Sequence, residues 1–397
     1  MSYEFDLQFF ATQGRVEKST IGTVDPNTTP SRLDINCDKE IMELYPNADP
    51  FIVLLNKARK KPVDSIRFEW YDSRPMAWWT AINNGAGYAD NAVSMVVDDS
   101  SVIPVGAIIK IPRTGEEIYV GANNTGTNTI SSLVRAVGST AAAAINDNDD
   151  IMVMPNAMAD GYTTPGAVST QPDNAYNYVQ TLSTPVNLSE QAEDVAKRAG
   201  GSERDRLRRE ALFQHRTGME RISIFGERAK PTLNSKVVYK TGGINSFISS
   251  NVFNLGGAVL TEYDLDDMCE QVFRTGSDTK VLVCGGLMKT AITRFGKERV
   301  VVSEKAKSYG LSLYEYQAAC GGTLMIAKSQ TFNNYYAGWG TIVDVKNVRL
   351  RQFNPTRLRP NQQQGTSHEF IDEYQTEFGM EIRLQETHGL IKNMKTS

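Results

Sequence analysis

The feature that most constrains this chain is a stretch of strong helix formers between residues 187 and 228. It is dense in Glu, Arg, Ala and Leu, all of which favour helices. Its apolar residues recur at steps of three and four, so those of each half share one helix face. They are Leu188, Ala192, Val195, Ala196 and Ala199, then Leu207, Ala211, Leu212, His215, Met219 and Ile222.

Two adjacent glycines, Gly200 and Gly201, interrupt this stretch. They destabilise a helix by roughly 2 kcal/mol relative to alanines, so the sequence predicts either one long helix with a kink or two helices that meet there. Ser202 with Asp205 resembles the start of a capping box for the second half. A continuous helix of this length would measure about 60 Å, more than the diameter of a small domain. Such a rod is typical of an elongated subunit or of one that lies along an assembly.

Length and charge limit the classes of protein that fit. The 397 residues suffice for two or three domains. The net charge of −4, with acidic and basic residues interspersed, argues against a strongly basic nucleic-acid-binding protein. The cysteines form no CxxC pair and the histidines are far apart, so neither a metal site nor another cofactor is predicted. Reduced thiols in a protein made in a cytoplasm are expected.

The N-terminal region is predicted to be an extended arm. Residues 1–35 are polar and interrupted by prolines, and the aromatic, acidic start lacks the features of a secretory signal. Phe9 and Phe10, with Leu7, form an apolar patch on which the arm would dock. Nowhere do 18 apolar residues follow one another, so no membrane-spanning helix is predicted.

Two short helices are expected after the arm. The first covers about residues 38–45, and the second covers about residues 49–60. Asp49 is a natural N-cap for the second helix, and Pro50 stands at the first helical position, which proline favours.

Three of the four tryptophans lie close together after Ser65. The run SIRFEWYDSRPMAWWT is typical of a strand that leads into a loop, and it carries Trp70, Trp78 and Trp79; Tyr88 follows in a segment rich in Gly and Asn. Large aromatic side chains stabilise interfaces because they bury a large area with little flexibility. Core packing within the chain and contact between subunits both remain open for these residues.

The rest of the chain alternates between β-rich and mixed segments. Residues 95–160 contain short β-rich runs separated by turn residues, which predicts a small antiparallel barrel or sandwich. Strands and helices alternate over residues 245–335, which predicts a small α/β domain. Two long alternating runs near the C-terminus flank the polar residues 354–368. They predict a strand pair that packs along the long helix.

No established catalytic motif is present. The run VLVCGGLMKTAI resembles a phosphate-binding loop, but Met288 stands where the glycine before the lysine is required. Nucleophile elbows, HExxH and Cys/His signatures are also missing from the sequence. A catalytic role is therefore not predicted, although an enzyme whose site is assembled from distant residues stays open.

Five segments occur in a characteristic order: FEWYDSR, VGAIIKIPRTGEEIYV, NYVQTLSTPVNLSEQAEDVAKR, ERISIFGE and KVLVCGGLMKTAITRF. In this order and spacing the chain resembles the major capsid proteins of tailed phages, which have the HK97-like fold. More narrowly, it resembles the branch of phage SU10. The resemblance covers about residues 36–395, and the order of the segments makes it specific.

The resemblance implies an α+β subunit with named parts. These are an N-terminal arm (1–64), an extended loop (65–186) with an inserted β-rich domain at about 95–160, a spine helix with the peripheral domain (187–244), an axial α/β domain (245–335) and the C-terminal strands of the peripheral domain (336–397). It implies a virion protein, made in the bacterial cytoplasm, that forms hexamers and pentamers of an icosahedral shell around double-stranded DNA.

Under this resemblance the candidate sites are contacts between subunits. The aromatic residues would anchor the loop and the arm, and the arginines would pair with a neighbour's acids, face the DNA or form solvated pairs within the chain. The candidates are Phe9, Phe10, Trp70, Trp78, Trp79, Tyr88, Arg206, Arg208, Arg209 and Arg216, with Gly200 and Gly201 as a hinge.

The resemblance also suggests partners. A portal protein, a separate scaffolding protein and a decoration protein are candidates, since the roughly 35-residue arm is short for a built-in scaffold. Some relatives join subunits by a lysine–asparagine isopeptide bond, but no lysine occurs between Lys61 and Lys110. A shell without covalent cross-links is therefore predicted. Two alternatives stay open, an encapsulin-like cellular compartment and a cytoplasmic α/β enzyme.

Overall fold

Local signals set where the main helices begin. In the computed structural model Pro50–Lys57 is helical, within the helix predicted for about residues 49–60. The longest helix, Glu203–Phe225, starts after Ser202, whose Oγ accepts a hydrogen bond from the backbone N–H of Asp205 at 3.3 Å. The helix Glu262–Phe273 begins with a complete capping box. The predicted cap at Ser202 is confirmed.

The structure describes residues 50–57, 60–157, 170–194, 202–295, 300–301, 314–363, 365 and 368–395. The helix predicted near residues 38–45 lies outside them. The helices are α1 Pro50–Lys57, α2 Glu190–Asp194, α3 Glu203–Phe225, α4 Ile244–Phe247, α5 Glu262–Phe273 and α6 Gly286–Arg294. The strands are β1 Lys60–Pro62, β2 Arg67–Asp72, β3 Trp79–Ala81, β4 Ser94–Val96, β5 Ile108–Lys110, β6 Glu117–Asn124, β7 Thr129–Val134, β8 Asp150–Met154, β9 Asp173–Tyr178, β10 Gln180–Ser189, β11 Thr232–Leu233, β12 Lys236–Val237, β13 Val252–Asn254, β14 Thr279–Cys284, β15 Val300–Val301, β16 Tyr314–Gln317, β17 Thr323–Lys328, β18 Gly340–Val343, β19 Val348–Arg359, β20 Glu369–Ile382 and β21 Gly389–Lys392.

The chain divides into two compact units. One unit comprises residues 67–177 and is called the barrel unit here. The other comprises the described residues among 50–66 and 178–395 and is called the main unit. Each unit has hydrophobic clusters of its own.

Six antiparallel strands of the barrel unit form a sheet in the order β3-β8-β5-β6-β7-β4. An antiparallel bridge between Ile82 and Val97 joins its two ends, so the sheet closes into a barrel. Alternate side chains point inward and form a dry core that includes Ile82 and Val97. Of the two predicted alternatives, an antiparallel barrel or a sandwich, the structure has the barrel. It begins at Trp79 rather than near residue 95, because the short strand β3 supplies the closing edge.

The main unit contains a four-stranded sheet in the order β1-β19-β20-β10. Its centre is the antiparallel pair β19 and β20, which was predicted from two long alternating runs. Helix α3 packs against β10 and β20, and its contact with the C-terminal strand pair was predicted. The buried face of α3 includes Ala211, His215 and Met219, at the predicted spacing. His215 joins both strands to the helix through hydrogen bonds with Thr184 at 3.0 Å and Thr376 at 2.7 Å.

Residues 187 and 188 were counted in the helical stretch, but residues 177–188 were also predicted to be a strand that leads into the helix, and the structure confirms the strand. Asn187 and Leu188 belong to strand β10, where they pair with Ile371 and Phe370 of β20. Pairing across the sheet decides the conformation instead, because Leu188 alternates with exposed neighbours and lies in the buried layer.

The second sheet of the main unit has seven strands in the order β13-β21-β18-β14-β17-β16-β15. Strand β14 alternates between its two faces. Val281 and Val283 join the cluster that contains residues of α1 and α3, whereas Leu282 and Cys284 join the cluster that contains α5 and α6. Helices therefore cover both faces of the sheet at β14. Because both faces are buried, the sequence of β14 is a continuous apolar run rather than an alternating one.

The predicted α/β domain ended too early, at residue 335. Strands β18 and β21 were assigned to the C-terminal strand group, but they pair with β14 and with each other in the seven-stranded sheet. The reason is that β14, buried on both faces, requires hydrogen-bonding partners along both edges. Strand β17 supplies one edge and β18 supplies the other.

Candidate functional site

Two tryptophans of the barrel unit are largely exposed. The exposed fractions of Trp78 and Trp79 are 66% and 52%. Trp79 lies in strand β3 opposite Met152, and Trp78 precedes the strand, with its carbonyl accepting a hydrogen bond from Val153 at 2.7 Å. The backbone of both residues is thus fixed by the barrel while the indole rings face outward. Such surfaces are typical of contacts with another molecule.

Trp70 does not belong to this surface. Strand β2 alternates strictly, with Phe68, Trp70 and Asp72 buried and Tyr71 exposed. Trp70 is 2% exposed and its ring stacks near that of Phe68, with 6.0 Å between the ring centroids. Its assignment as a contact between subunits is therefore corrected to packing within the barrel unit. The period-two pattern of RFEWYD contained the signal, since it places Trp70 on one face and Tyr71 on the other.

Tyr88 is held within the barrel unit. Its hydroxyl accepts a hydrogen bond from the backbone N–H of Val96 at 2.8 Å. Its backbone exchanges hydrogen bonds with Ile145 at 2.7 and 2.9 Å. The half-buried ring therefore fixes the loop before β4 to the barrel core, and its contact with a neighbouring subunit stays a prediction.

Two of the predicted arginines pair with acids of the same chain. Arg206 contacts Glu203 at 2.5 Å and Glu210 at 3.5 Å on α3. Arg208 contacts Asp205 at 3.4 Å. Of the three alternatives for the arginines, pairing within the chain is the one observed for Arg206 and Arg208. Arg209 and Arg216 are exposed on the same helix, and their role in assembly stays a prediction.

A buried carboxylate, which the sequence did not indicate, joins α3 to β20. Asp372 is 1% exposed and receives hydrogen bonds from Arg204 at 2.6 and 2.8 Å and from Arg208 at 2.8 Å. The backbone N–H of Asn361 adds a bond of 3.0 Å. The hydrogen bonds from Arg204, together with those from Arg208 and Asn361, hold the pKa of Asp372 far below its usual range. This cluster fixes the start of the long helix on the sheet.

Four further candidates, Phe9, Phe10, Gly200 and Gly201, lie outside the described residues. Their roles in docking the arm and in bending the helix stay predictions.

The main unit has an open apolar groove of about 360 Å³. Its walls come from the chain before β2, the start of β10, the hairpin β11–β12 and the two long strands of the four-stranded sheet. The lining residues are Ile66, Val179, Thr181, Val237, Val238, Tyr239, Phe353 and Glu377.

A β-bulge explains why an aromatic residue of a long strand reaches this groove. Gln352 pairs with Phe378 and Asn354 pairs with Glu377, so Phe353 is an extra residue without a partner on β20. Bulges re-aim side chains, and Phe353 is 43% exposed. The alternation of inward and outward residues along a strand does not predict that Phe353 is exposed, because the bulge interrupts the alternation.

Two ionisable side chains of the main unit, Lys280 and His388, are buried in the protein interior. Lys280 is fully buried, and its Nζ donates to the carbonyls of Val272, Thr275 and Thr387 at 2.7 to 2.8 Å. Burial lowers the pKa of Lys280 to about 8. Burial also lowers the pKa of His388 to about 4. Among the described residues, no group of three His, Cys, Asp or Glu side chains is arranged to hold a metal ion.

Comparison with solved structures identifies the fold. The chain is similar to a structure from Mycobacterium phage Bobi, with a TM-score of 0.50 at 6% identity over 93% of this chain and 98% of that chain. This likeness, with the mixed α+β architecture, defines a protein with the HK97-like fold of phage capsid proteins. The chain belongs to the SU10 major capsid protein family, whose model matches residues 16–395. It is a major capsid protein of a tailed phage, and its role is to assemble with copies of itself into a shell.

Two further structures are similar at lower TM-scores. The capsid of the native GTA particle, computed with C5 symmetry, has a TM-score of 0.48 at 9% identity over 95% of this chain and 100% of that chain. The holo-SrpI encapsulin complex from Synechococcus elongatus PCC 7942 has a TM-score of 0.40 at 9% identity over 57% of this chain and 76% of that chain. No curated protein sequence matches the chain. Of the helices described, none has both the length and the apolar character needed to cross a membrane.

Proposed function

We propose that this chain forms the hexamers and pentamers of an icosahedral phage shell that encloses double-stranded DNA. The observation that carries the proposal is the family match over nearly the whole chain. Exposed aromatic residues on the barrel unit and an open apolar groove on the main unit support it. Surfaces of this kind are stabilised when other copies cover them. The protein works by its shape and contacts and has no catalytic step.

The parts of the subunit are proposed to act as they do in an HK97-like tile. Residues 1–64 form the arm and residues 65–186 form the extended loop. Residues 187–244 contribute the spine, and β19 and β20 are the C-terminal strands of the peripheral domain. Residues 245–335 form most of the axial domain, which the later strands β18 and β21 complete.

Further partners are proposed from the same role. A portal protein, a separate scaffolding protein and a decoration protein would bind the shell, and the packaged DNA would be contacted without sequence specificity. The subunit would be made in the host cytoplasm and end in the virion.

The shell is proposed to be held by non-covalent contacts. The loop between Lys61 and Lys110 lacks the lysine that an isopeptide cross-link would require. In heated denaturing gels of purified particles, the capsid protein should therefore run as a monomer of at most 44.0 kDa, with no ladder of its multiples. Ladders of linked chains would contradict this.

Nuclease protection tests the proposed cargo. Particles purified from infected cells should protect double-stranded DNA from added nuclease and should carry a portal and tail in electron micrographs. Closed shells that contain protein cargo and no protected DNA would instead identify a cellular compartment of the encapsulin kind. A discrete dimer without shells would favour the cytoplasmic enzyme.

A further inference from the structure

The apolar groove of the main unit is built from rigid parts. Val179 donates a backbone hydrogen bond to Ile66 at 2.8 Å, and the ring of Tyr239 packs on that of Tyr178 with 5.5 Å between centroids. On the other wall, Val238 is tied to Pro231 by a backbone hydrogen bond of 2.8 Å. The groove is therefore a preformed site, within the size range of about 300–1,000 Å³ that is usual for binding pockets.

The groove leaves apolar surface exposed to water. Ile66, Val237 and Phe353 line it and are 48%, 50% and 43% exposed. Covering this surface would be favourable by about 25 cal/mol for each Å² removed from water. Three polar side chains stand among the apolar ones, namely Thr181, Tyr239 and Glu377. The occupant should therefore be mostly apolar and should carry one hydrogen-bond donor.

A tryptophan side chain has this chemistry. Its ring is large and apolar, and its single N–H usually finds an acceptor when it is buried. Of the four tryptophans, Trp70 is buried and Trp339 is half-buried, so Trp78 and Trp79 are the two exposed ones. Trp78 is the more exposed and lies just outside strand β3, so its ring is not held between strand neighbours.

We propose that the groove lined by Ile66, Val237, Phe353 and Glu377 binds the indole ring of Trp78 from a second copy of this chain. The ring would pack between the apolar walls, and its Nε1–H would donate a hydrogen bond to the carboxylate of Glu377. Glu377 already accepts from Asn354 and, at 3.3 Å, from Gln375, so these bonds hold its carboxylate at the groove. This inference rests on the proposed function, since it requires copies that assemble.

One indole ring does not make a stable interface alone. An aromatic side chain buries about 150–250 Å², whereas a stable interface buries about 800 Å² on each partner. Trp78 is therefore an anchor of a larger contact. A single anchor of this kind contributes much of the binding free energy of an interface.

The hairpin β11–β12 offers a matched control. Thr232 pairs with Val237 and Leu233 pairs with Lys236. Because neighbouring residues of a strand point to opposite faces, Val237 and Leu233 lie on opposite faces of the hairpin. Leu233 is 54% exposed, close to the 50% of Val237, but it does not line the groove.

Chemical cross-linking between two different variants tests the contact. One variant carries Ala77→Cys, next to the intact Trp78, and the other carries Val237→Cys; both also carry Cys37→Ser and Cys320→Ser. After assembly of the mixture, a short bismaleimide should link the two variants into a dimer. With Leu233→Cys in place of Val237→Cys, the yield should fall at least fivefold. Equal yields from both positions, or no dimer in a mixture that has formed shells, would overturn the inference.

Substitutions supply a second readout. Trp78→Ala and Val237→Glu should each raise the concentration needed for assembly by about tenfold, measured by sedimentation, while Leu233→Glu should change it less than threefold. If wild-type chains form shells and these variants assemble like wild type, the inference fails while the proposed function stands. If a chain with both Ala77→Cys and Val237→Cys links only within itself, the groove takes its own tryptophan and the second-copy assignment is wrong.

Discussion

Removal of the Asp372 carboxylate should destabilise the main unit, because this group joins the long helix to the four-stranded sheet. It lies 1% exposed, with two bonds from Arg204, one from Arg208 and one from the backbone of Asn361. Asp372→Ala would remove the charge partner of two partly buried guanidinium groups and the acceptor of a backbone N–H.

The size of the effect follows from the burial of the partners. Breaking a buried ion pair costs about 3–5 kcal/mol. The side chains of Arg204 and Arg208 are 18% and 24% exposed, so water partly screens them and the lower end of this range applies. We therefore expect Asp372→Ala to reduce the free energy of unfolding by about 3 kcal/mol. Asp372→Asn keeps the shape and one acceptor and should cost less.

Urea unfolding of the subunit provides the assay, at concentrations below those at which shells form, because assembly itself stabilises the folded state. The matched control is Glu270→Ala, which removes a carboxylate from an exposed pair with Arg274 and should give no resolvable change. A double-mutant cycle with Arg204→Ala should show strong coupling to Asp372.

The same pair predicts a dependence on pH. The pKa of Asp372 is lowered in the folded state, so its stabilising contribution is complete above the unfolded value of about 4 and is lost as the pH falls below it. In Asp372→Ala, the decrease in the free energy of unfolding that is caused by protonation of Asp372 should be absent. If Asp372→Ala unfolds at the same urea concentration as Glu270→Ala, the joining role assigned to Asp372 is wrong.

Three further predictions concern other parts of the chain. The pKa of His388 is lowered to about 4 by burial, so the unfolded state gains a proton that the folded state does not between about pH 6.5 and pH 4. In urea titrations the free energy of unfolding should decrease as the pH falls through that window, and the decrease should be smaller for His388→Gln. Equal dependence on pH in the wild type and the variant would contradict the role of His388. Gly276 and Gly321 have φ angles of +89° and +90°, but only at Gly276 would a Cβ meet other atoms, at 2.6 Å from a carboxylate oxygen. Gly276→Ala should therefore lower the free energy of unfolding by about 1–3 kcal/mol more than Gly321→Ala, and similar melting curves for the two would refute this. Replacing Gly200 and Gly201 with alanine should stabilise a continuous helix by roughly 2 kcal/mol and alter the size or yield of shells, whereas unchanged shells would remove the proposed bend.

Local signals predicted much of this fold from the sequence. The cap at Ser202 and the buried face of α3 both depend on residues within one or two helical turns, so the local sequence is enough to predict them. The closed barrel and the long strand pair also followed from turn spacing and alternation.

The features that were missed depend on partners distant in sequence. Strand β18 joins the seven-stranded sheet because β14 requires a second edge. The ion pairs at Asp372 connect residues 164 and 168 positions apart, and no local pattern indicates them. Trp70 is an exception among the missed features, because the alternation of residues in β2 was enough to predict that its side chain is buried.

The central claim is that copies of this chain assemble into a closed shell, and electron microscopy of the purified, expressed protein tests it most directly. Hexamers, pentamers and closed icosahedral particles are expected, produced by the chain alone or with a co-expressed scaffolding protein. Monodisperse monomers or dimers under all of these conditions, with neither capsomers nor shells in the images, would contradict the claim.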